Sequence, residues 1–322
     1  MQPRCSEAEF IEYLANIGPT ETAKRLGISL AKVFARRRNI EQKTGRTIIA
    51  SKDGQRHGKG AAVPFRDPNY PHRIVWAIKD GVVIVGGDAH YWPGQISTAH
   101  RAFVKFIRDL KPVGVVMNGD VFDGSSISRH PPIGWENRPA VIDELDECKA
   151  RLEEIRTASR GANLAWSLGN HDARFETRLA MVAPEYAKVH GVHLRDHFPD
   201  WPPCWSVWVN DDVVIKHRFK NGIHAPHNNT MWAGRTMVTG HLHSQKVSPF
   251  TDYNGDRWGV DAGTLAEIYG PHATDYTEDS PRNWRSGFAV LTFADGRLLQ
   301  PELVRVMDDK GRVDFRGKVC RV

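Results

Sequence analysis

Four times in this chain a short apolar run stops at a glycine and metal-competent side chains follow at once. The four places are Gly87-Asp88-Ala89-His90, Gly119-Asp120-Val121-Phe122-Asp123, Gly169-Asn170-His171-Asp172 and Gly240-His241-Leu242-His243. Glycine lets the backbone turn tightly and approach a ligand closely. Carboxylate, amide and imidazole groups on such turns can gather at one place without interrupting a helix, because loops at strand ends converge. His217 is a fifth candidate, directly after the run Val213-Val214-Ile215-Lys216. Any one of these motifs occurs often by chance. Five of them in order, each at the end of a β-rich run, restrict the chain to an architecture in which strand ends meet.

The runs between the motifs indicate which architecture. Arg73–Ile78 and Val82–Val85 are β-rich and flank Lys79-Asp80-Gly81, a pattern that predicts a hairpin. A helix is expected over about 95–110, with Phe103, Phe106, Ile107 and Leu110 on one face. A strand follows at Val113–Met117, a charged helix at about 139–159 and a strand at Leu164–Leu168. This alternation argues for an α/β domain with parallel pairing. After about residue 204 short strand-like runs dominate (205–209, 213–216, 237–239, 257–260, 288–293 and 303–306), and a second, more antiparallel sheet is expected.

Charge divides the chain differently. Residues 1–66 carry 13 Lys/Arg against 6 Asp/Glu, whereas the remainder carries 31 against 32, so the net +6 resides at the N-terminal end. Such an end suits a polyanion partner. Within it, helices are expected over 7–17, from a Thr20 cap through Leu26, and from a Ser29 cap to about Lys43, with Gly18-Pro19, Gly27 and Gly45 as breaks. Ala23, Gly27 and Val33, with Leu26 and Leu30 as further core positions, have the spacing of a helix-turn-helix and resemble that family. In it the last helix enters the major groove; here that helix carries Lys32, Arg36, Arg37 and Arg38, the expected DNA contacts, and at least one of Arg36–Arg38 would touch backbone rather than bases. The expected division is a small all-α helix-turn-helix domain at 1–47, a Gly/Pro-rich linker at 48–72 and the large domain at 73–322. A basic helical packing or oligomerisation unit is the plainer alternative.

Four scattered cysteines (Cys5, Cys148, Cys204 and Cys320) form no C-x-x-C pair, which argues against a thiolate zinc site or a disulfide framework and fits a reducing compartment. The first residues lack the apolar core of a signal peptide, and the apolar run Val82–Val85 is far too short to span a bilayer. A soluble, cytoplasmic protein without membrane attachment is expected.

The order D-x-H, G-D-x-x-D, G-N-H-D, H, G-H-x-H resembles the calcineurin-like metallophosphoesterases over about residues 80–300. That superfamily includes protein phosphatases, the nuclease subunit of the double-strand-break repair complex and cyclic-nucleotide phosphodiesterases. The resemblance implies a sandwich of two mixed β-sheets flanked by helices. It implies Asp88, His90 and His243 as ligands of one divalent ion, Asn170, His217 and His241 as ligands of another, and Asp120 as a bridge between them. A mixed Asp/His/Asn shell suits Mn²⁺, with Fe or Zn²⁺ as alternatives, better than an all-oxygen Mg²⁺ or Ca²⁺ site. Two such ions, about 3.5–4 Å apart, would clamp a phosphoryl group and activate a water. His171 would be the general acid that protonates the leaving group, and Asp123 would orient it.

Two departures matter. Asp123 is followed by Gly124-Ser125 rather than Arg-Gly, which disfavours the Ser/Thr protein phosphatase branch. His217 is followed by Arg218 rather than glycine, so His224 rivals it as the fourth-motif ligand, although the strand end favours His217; His224 could instead face substrate. Ser126–His130 resembles a loop of bacteriophage-encoded members, which would place the chain in a bacterial host cytoplasm. In that loop Arg129 could grip a phosphate through its fork, and His130 could contact the leaving group. The expected activity is a two-metal phosphoesterase brought to DNA, as a nuclease or DNA-end phosphatase. The alternatives are hydrolysis of a small phosphoester, or a DNA-binding regulator with an inactive phosphoesterase domain. Every expected ligand position is filled, which speaks against the last.

Overall fold

The computed structural model describes residues 5–48, 50, 65–66, 70–132, 136–268, 280 and 282–322. The chain divides into two compact units, Met1–Pro71 and His72–Val322.

The first unit holds helices α1 (Glu7–Leu26) and α2 (Leu30–Thr44) and a two-stranded antiparallel sheet of β1 (Thr47–Ile48) and β2 (Phe65–Arg66). Gly18, at φ 75 and ψ 172, breaks α1 into two helical segments ahead of Pro19. Ser6 caps α1 through a reciprocal bond with Glu9, and Gly27 ends it in the left-handed conformation. Ser29 accepts from the Lys32 amide to start α2, and Gly45 stops it. Phe10, Ile11, Leu14, Ala23, Val33, Ile40 and Ile48 close the core.

The helices expected within 1–47 are present, and β1 and β2 add a small sheet to the same unit. Ile48 is part of the unit's core, and most of the expected 48–72 linker lies outside the described residues. One expected core position differs. Leu30 is 41% exposed. It stands at the mouth of α2, and Ile28, whose amide bonds the Ala23 carbonyl, takes the inward place before the turn.

The second unit is built on two mixed sheets. The nine-stranded sheet has the order β17-β16-β15-β13-β4-β5-β6-β7, with β14 paired to β13. Its strands are β4 (Gly81–Gly86), β5 (Gly114–Met117), β6 (Asn163–Ser167), β7 (Pro203–Cys204), β13 (Gly287–Ala294), β14 (Arg297–Leu298), β15 (Glu302–Val306), β16 (Arg312–Phe315) and β17 (Lys318–Arg321). The six-stranded sheet has the order β11-β12-β10-β9-β8-β3. Its strands are β3 (Ile74–Trp76), β8 (Val207–Val209), β9 (Val213–Ile215), β10 (Thr236–Thr239), β11 (Lys246–Asp252) and β12 (Gly255–Asp261). One hydrophobic cluster joins the inner faces: Trp76, Val207, Ile215, Val238 and Val260 from the smaller sheet meet Val83, Val85, Val116, Ala165 and Leu291 from the larger. The result is a sheet-on-sheet sandwich. Helix α3 (Thr98–Leu110), capped by Ser97, sets Phe103 and Phe106 edge-on to Phe288 at 5.1 and 5.6 Å. The remaining helices are α4 (Val141–Ala158), α5 (Arg174–Val182), α6 (Leu194–His197) and α7 (Ala225–Ala233). Among the described residues, no helix is long and apolar enough to cross a membrane.

Two strand pairings differ from the sequence expectation. β3 and β4 are not a hairpin: β3 pairs with β8 in one sheet and β4 with β5 and β13 in the other. Asn210 holds the crossing strand, accepting from the Ile78 amide at 2.8 Å and donating to the Ile78 carbonyl. Of the late strands, β8–β12 do form most of a second sheet, but it is mixed rather than mainly antiparallel, and the last strands belong elsewhere. β13 and β15–β17 extend the first sheet antiparallel, while β10 pairs parallel with both β9 and β12.

Trp76 is the hinge of this packing. A Cβ on Gly114 would stand 2.7 Å from its ring, so the two sheets meet there without slack. Trp76→Ala is expected to cost roughly 3–5 kcal/mol. A denaturant titration checks this: the midpoint falls while the slope is unchanged.

Candidate metal centre

The first four motif turns lie at the carboxyl ends of β4, β5, β6 and β10, with His217 just beyond β9. Because β4, β5 and β6 run parallel, as β9 and β10 do, turns that are far apart in sequence open onto one place.

The side chains meet in two groups. Asp88, His90 and His243 bring their ligand atoms within 4.8 Å of one another, as do Asp120, His217 and His241. His90 Nε2 lies 4.0 Å from Asp120 Oδ2, and His217 Nε2 lies 3.1 Å from the same oxygen, so Asp120 faces both groups. His243 Nε2 is 3.1 Å from Asp88 Oδ1. Asn170 sits between Gly169, whose added Cβ would collide with the Asp120 carboxylate, and His171, whose amide donates to Asp120 Oδ1 at 2.8 Å.

This donor set fits divalent cations. Asn170 Oδ1 is buried and makes no hydrogen bond, while buried His217 Nε2 faces the Asp120 carboxylate at 3.1 Å. An orphaned buried acceptor such as the Asn170 oxygen is costly unless something else engages it. His217 Nδ1 donates to the Asn118 carbonyl at 2.9 Å, which fixes the ring orientation and turns Nε2 inward. Burial resists a charge on His217, but the Asp120 and Asp88 carboxylates outweigh it and push it up to about 10. The same field favours a cation. Burial and neighbouring imidazole charge hold His90 and His241 down, keeping them neutral and able to ligate. Asp88 and Asp120 are lowered against strong burial by the surrounding histidines.

Beside the two groups is a hydrogen-bonded triad. Asp123 Oδ1 lies 2.8 Å from the Nδ1 atoms of both His171 and His90. The sequence predicts the first contact and not the second. These short N···O bonds close His90–Asp123–His171 as a hydrogen-bonded set, a third group whose ligand atoms lie within 4.8 Å of one another. Burial lowers His171, yet the bond to Asp123 and the charges of Asp120 and Asp123 raise it on balance. Asp123 is held well below the ordinary carboxylate range, since both imidazole bonds outweigh its burial.

Position separates the two fourth-motif candidates. His217 is 1% exposed and inside the cluster, whereas His224 is exposed ahead of α7. Arg129 and His130 are also exposed. Among the described residues, no hydrogen bond or ion pair joins the side chains of Arg129, His130 or His224 to the cluster. The loop of Arg129 and His130 is framed instead by Arg138, which donates to the carbonyls of Ser125, His130 and Pro131.

Several residues that sequence reasoning left without a role support the centre. Asp172, in the third motif, accepts from the amides of Asp120, Val121, Phe122 and Gly169 and from the Trp166 indole, at 2.8–3.0 Å. Arg174 donates to the Asp123 carbonyl and stands 3.1 Å from His171 Nε2. Glu144 accepts from the Gly124 and Ser125 amides and the Ser125 hydroxyl. The Trp284 ring lies 4.8 Å from that of His243, although its segment reads only as the approach to a strand. Asp172 could have been noticed from its motif; the others carry no local signal.

The calcineurin-like phosphoesterase model matches residues 81–266, which include every motif above. The chain belongs to the calcineurin-like phosphoesterase family. It is a metal-dependent phosphoester hydrolase. It is 28% identical over 249 residues to the gene 54 protein of Mycobacterium phage L5, covering 69% of this chain and 92% of that one. The gene 54 protein of Mycobacterium phage D29 is 27% identical over 248 residues, with the same coverage. A protein serine/threonine phosphatase from Saccharomyces cerevisiae is 13% identical, with a TM-score of 0.38 over 74% of this chain and 85% of that one.

Cations that bind only the folded centre stabilise it by mass action, by about 2.7 kcal/mol at a hundredfold excess over the dissociation constant. Mn²⁺ added to metal-free protein is therefore expected to raise the unfolding temperature by several degrees. Asp120→Asn should lose most of that rise, and thermal scans of both proteins with and without Mn²⁺ check it.

Proposed function

We propose that this phosphoesterase acts on DNA, cutting a strand or removing a terminal phosphate, and that its N-terminal helices bring it to DNA. The observation that carries the phosphoester half is the pair of three-residue clusters that meet at the Asp120 carboxylate, itself a member of one of them, with the His171–Asp123 pair alongside. The basic excess of residues 1–66 supports the DNA half.

In this reading Asp88, His90 and His243 hold one divalent ion, and Asn170, His217 and His241 hold a second. Asp120 serves both. Mn²⁺ is the preferred occupant, with Fe or Zn²⁺ as substitutes. Bound ions of this kind neutralise phosphoryl oxygens and lower the pKa of water. The remaining work falls to the chain. His171 protonates the leaving oxygen, and Asp123 holds its Nδ1 so that Nε2 carries the transferred proton. Arg174 lies against Nε2 in the present arrangement, so protonation there releases its guanidinium to pair with a phosphoryl oxygen. Arg129, His130 and His224 are peripheral substrate contacts in this reading.

On the N-terminal unit, Lys32 and Arg38 are exposed and form the proposed DNA contacts. Arg36 is committed internally: it donates to the Cys5 carbonyl at 2.6 Å and lies 4.5 Å from the Phe10 ring centroid. Arg37 pairs with Glu41 at 3.0 Å. Both therefore act on the unit's own shape, and the proposed contact face is narrower than the four-residue set.

Two measurements test the proposal. With 5′-labelled single- and double-stranded DNA on a denaturing gel, Mn²⁺-dependent shortening marks a nuclease and loss of label without shortening an end phosphatase. Intact, still-labelled strands under both conditions sink the DNA reading. His171→Ala should lower kcat by about 10²–10⁴ on an alkyl phosphoester but far less on a p-nitrophenyl ester, whose leaving group needs no proton. Equal losses on both would remove His171 from the acid role.

A further inference from the structure

Residues 213–251 contain no Asp or Glu but five Lys/Arg, in a domain whose overall charge is close to balanced. This segment includes β9, α7, β10 and nearly all of β11, and it carries the ligands His217, His241 and His243. Its surface is aromatic as well as basic. Phe219, two residues beyond His217, is 44% exposed, and Trp232 on α7 is 67% exposed. The Lys220 ammonium lies 5.7 Å from the Phe219 ring centroid and 4.8 Å from that of Trp232, and Lys216 lies 5.8 Å from Phe219. Buried Asn229 of α7 accepts from the Lys220 amide at 2.8 Å, so the loop after His217 is pinned to the helix that presents Trp232. Arg218 is exposed between ligand and ring, and Lys246 closes the edge by donating to the Ile223 carbonyl at 3.0 Å.

Two exposed rings with an ammonium held near both, on a segment without carboxylates that begins at a proposed metal ligand, have the chemistry of a single-strand track. Flat rings stack on unpaired bases regardless of sequence, and cations follow the phosphates between them. A core role for these rings conflicts with their exposure. An acidic peptide would meet the lysines but gain little from the ring faces. We propose that Phe219, Trp232, Lys216, Arg218 and Lys220 form a binding track for single-stranded DNA leading into the catalytic centre. It rests on the DNA reading above. On this view the catalytic domain grips the strand itself, and the N-terminal helices are not its sole means of engagement.

The test uses the full chain in EDTA, so that binding is read without turnover. A 5-bromodeoxyuridine-containing single strand is photocrosslinked, and the modified peptide is identified by mass spectrometry. Crosslinks at Phe219 or Trp232 are expected. Fluorescence anisotropy with the same strand should show about a tenfold or greater loss of affinity in Phe219→Ala/Trp232→Ala, and a smaller loss in Lys220→Gln with a shallower salt dependence. Thermal unfolding at the wild-type temperature establishes that the variants are folded; Phe219→Leu and Trp232→Leu serve if the alanine pair is not. Crosslinks confined to the N-terminal unit, unchanged affinity in folded variants, equal binding of the blunt duplex, or equal competition by poly-glutamate would each overturn the track. A wild-type protein that binds through these residues but leaves DNA intact with Mn²⁺ would overturn the proposed reaction and leave the track standing.

Discussion

The centre depends on one buried carboxylate that touches no reacting group. Asp172 accepts five N–H donors, three from consecutive amides of the Asp120–Phe122 turn, one from Gly169 and one from the Trp166 indole. Those bonds join the turn after β5 to the turn after β6. Burial and the neighbouring Asp120 push its carboxyl up to about 6, while the amides favour the charged form. A donor-only surrounding needs an acceptor, so replacing this side chain would leave several buried amides unpaired, each costing about 1–3 kcal/mol. The positions of Asp120, Asn170 and His171 follow from this junction.

The rest of the site interlocks around it. A side chain at Gly169 would strike Asp120, and one at Gly240 would strike Asp88. The motif glycines thus leave room for a neighbouring motif's ligand. Asp88, His90, Asp120, His241 and His243 all stand at positive φ, between 41 and 72°. Non-glycine residues adopt that region at a cost, and it persists when surrounding bonds dictate it. Here they do: the amides of Asp88 and His90 bond the carbonyls of Gly119 and Asp120, and the His241 amide bonds the Asp88 carboxylate. The backbone is bent by one turn's hold on the next, which brings these five metal-competent side chains together.

How much of this was legible in the sequence depends on the range of each interaction. The five metal-competent motifs were readable because each is local, an apolar run followed by glycine and donors. The caps at Ser6, Ser29 and Ser97 are local as well, although only Ser29 was read as one. The β3–β4 hairpin was misread because Asn210, 132 residues from Ile78, redirects that crossing. The sheet that receives β13 could not be inferred from its own alternation, since its partner β4 lies two hundred residues earlier in the chain. Arg36 read as a groove contact because basicity is local, whereas its carbonyl partner at Cys5 and the Phe10 ring are tertiary facts. The same holds for Arg174 and Glu144, which hold the Asp123–Ser125 turn without belonging to a motif.

The central claim is that Asp120 joins two cation sites. Anomalous diffraction from a crystal soaked in Mn²⁺ tests it most directly. The account predicts two peaks per chain, about 3.5–4 Å apart, both within coordination distance of the Asp120 carboxylate, one flanked by Asp88, His90 and His243 and the other by Asn170, His217 and His241. A single peak, or a pair that Asp120 does not touch, would contradict it.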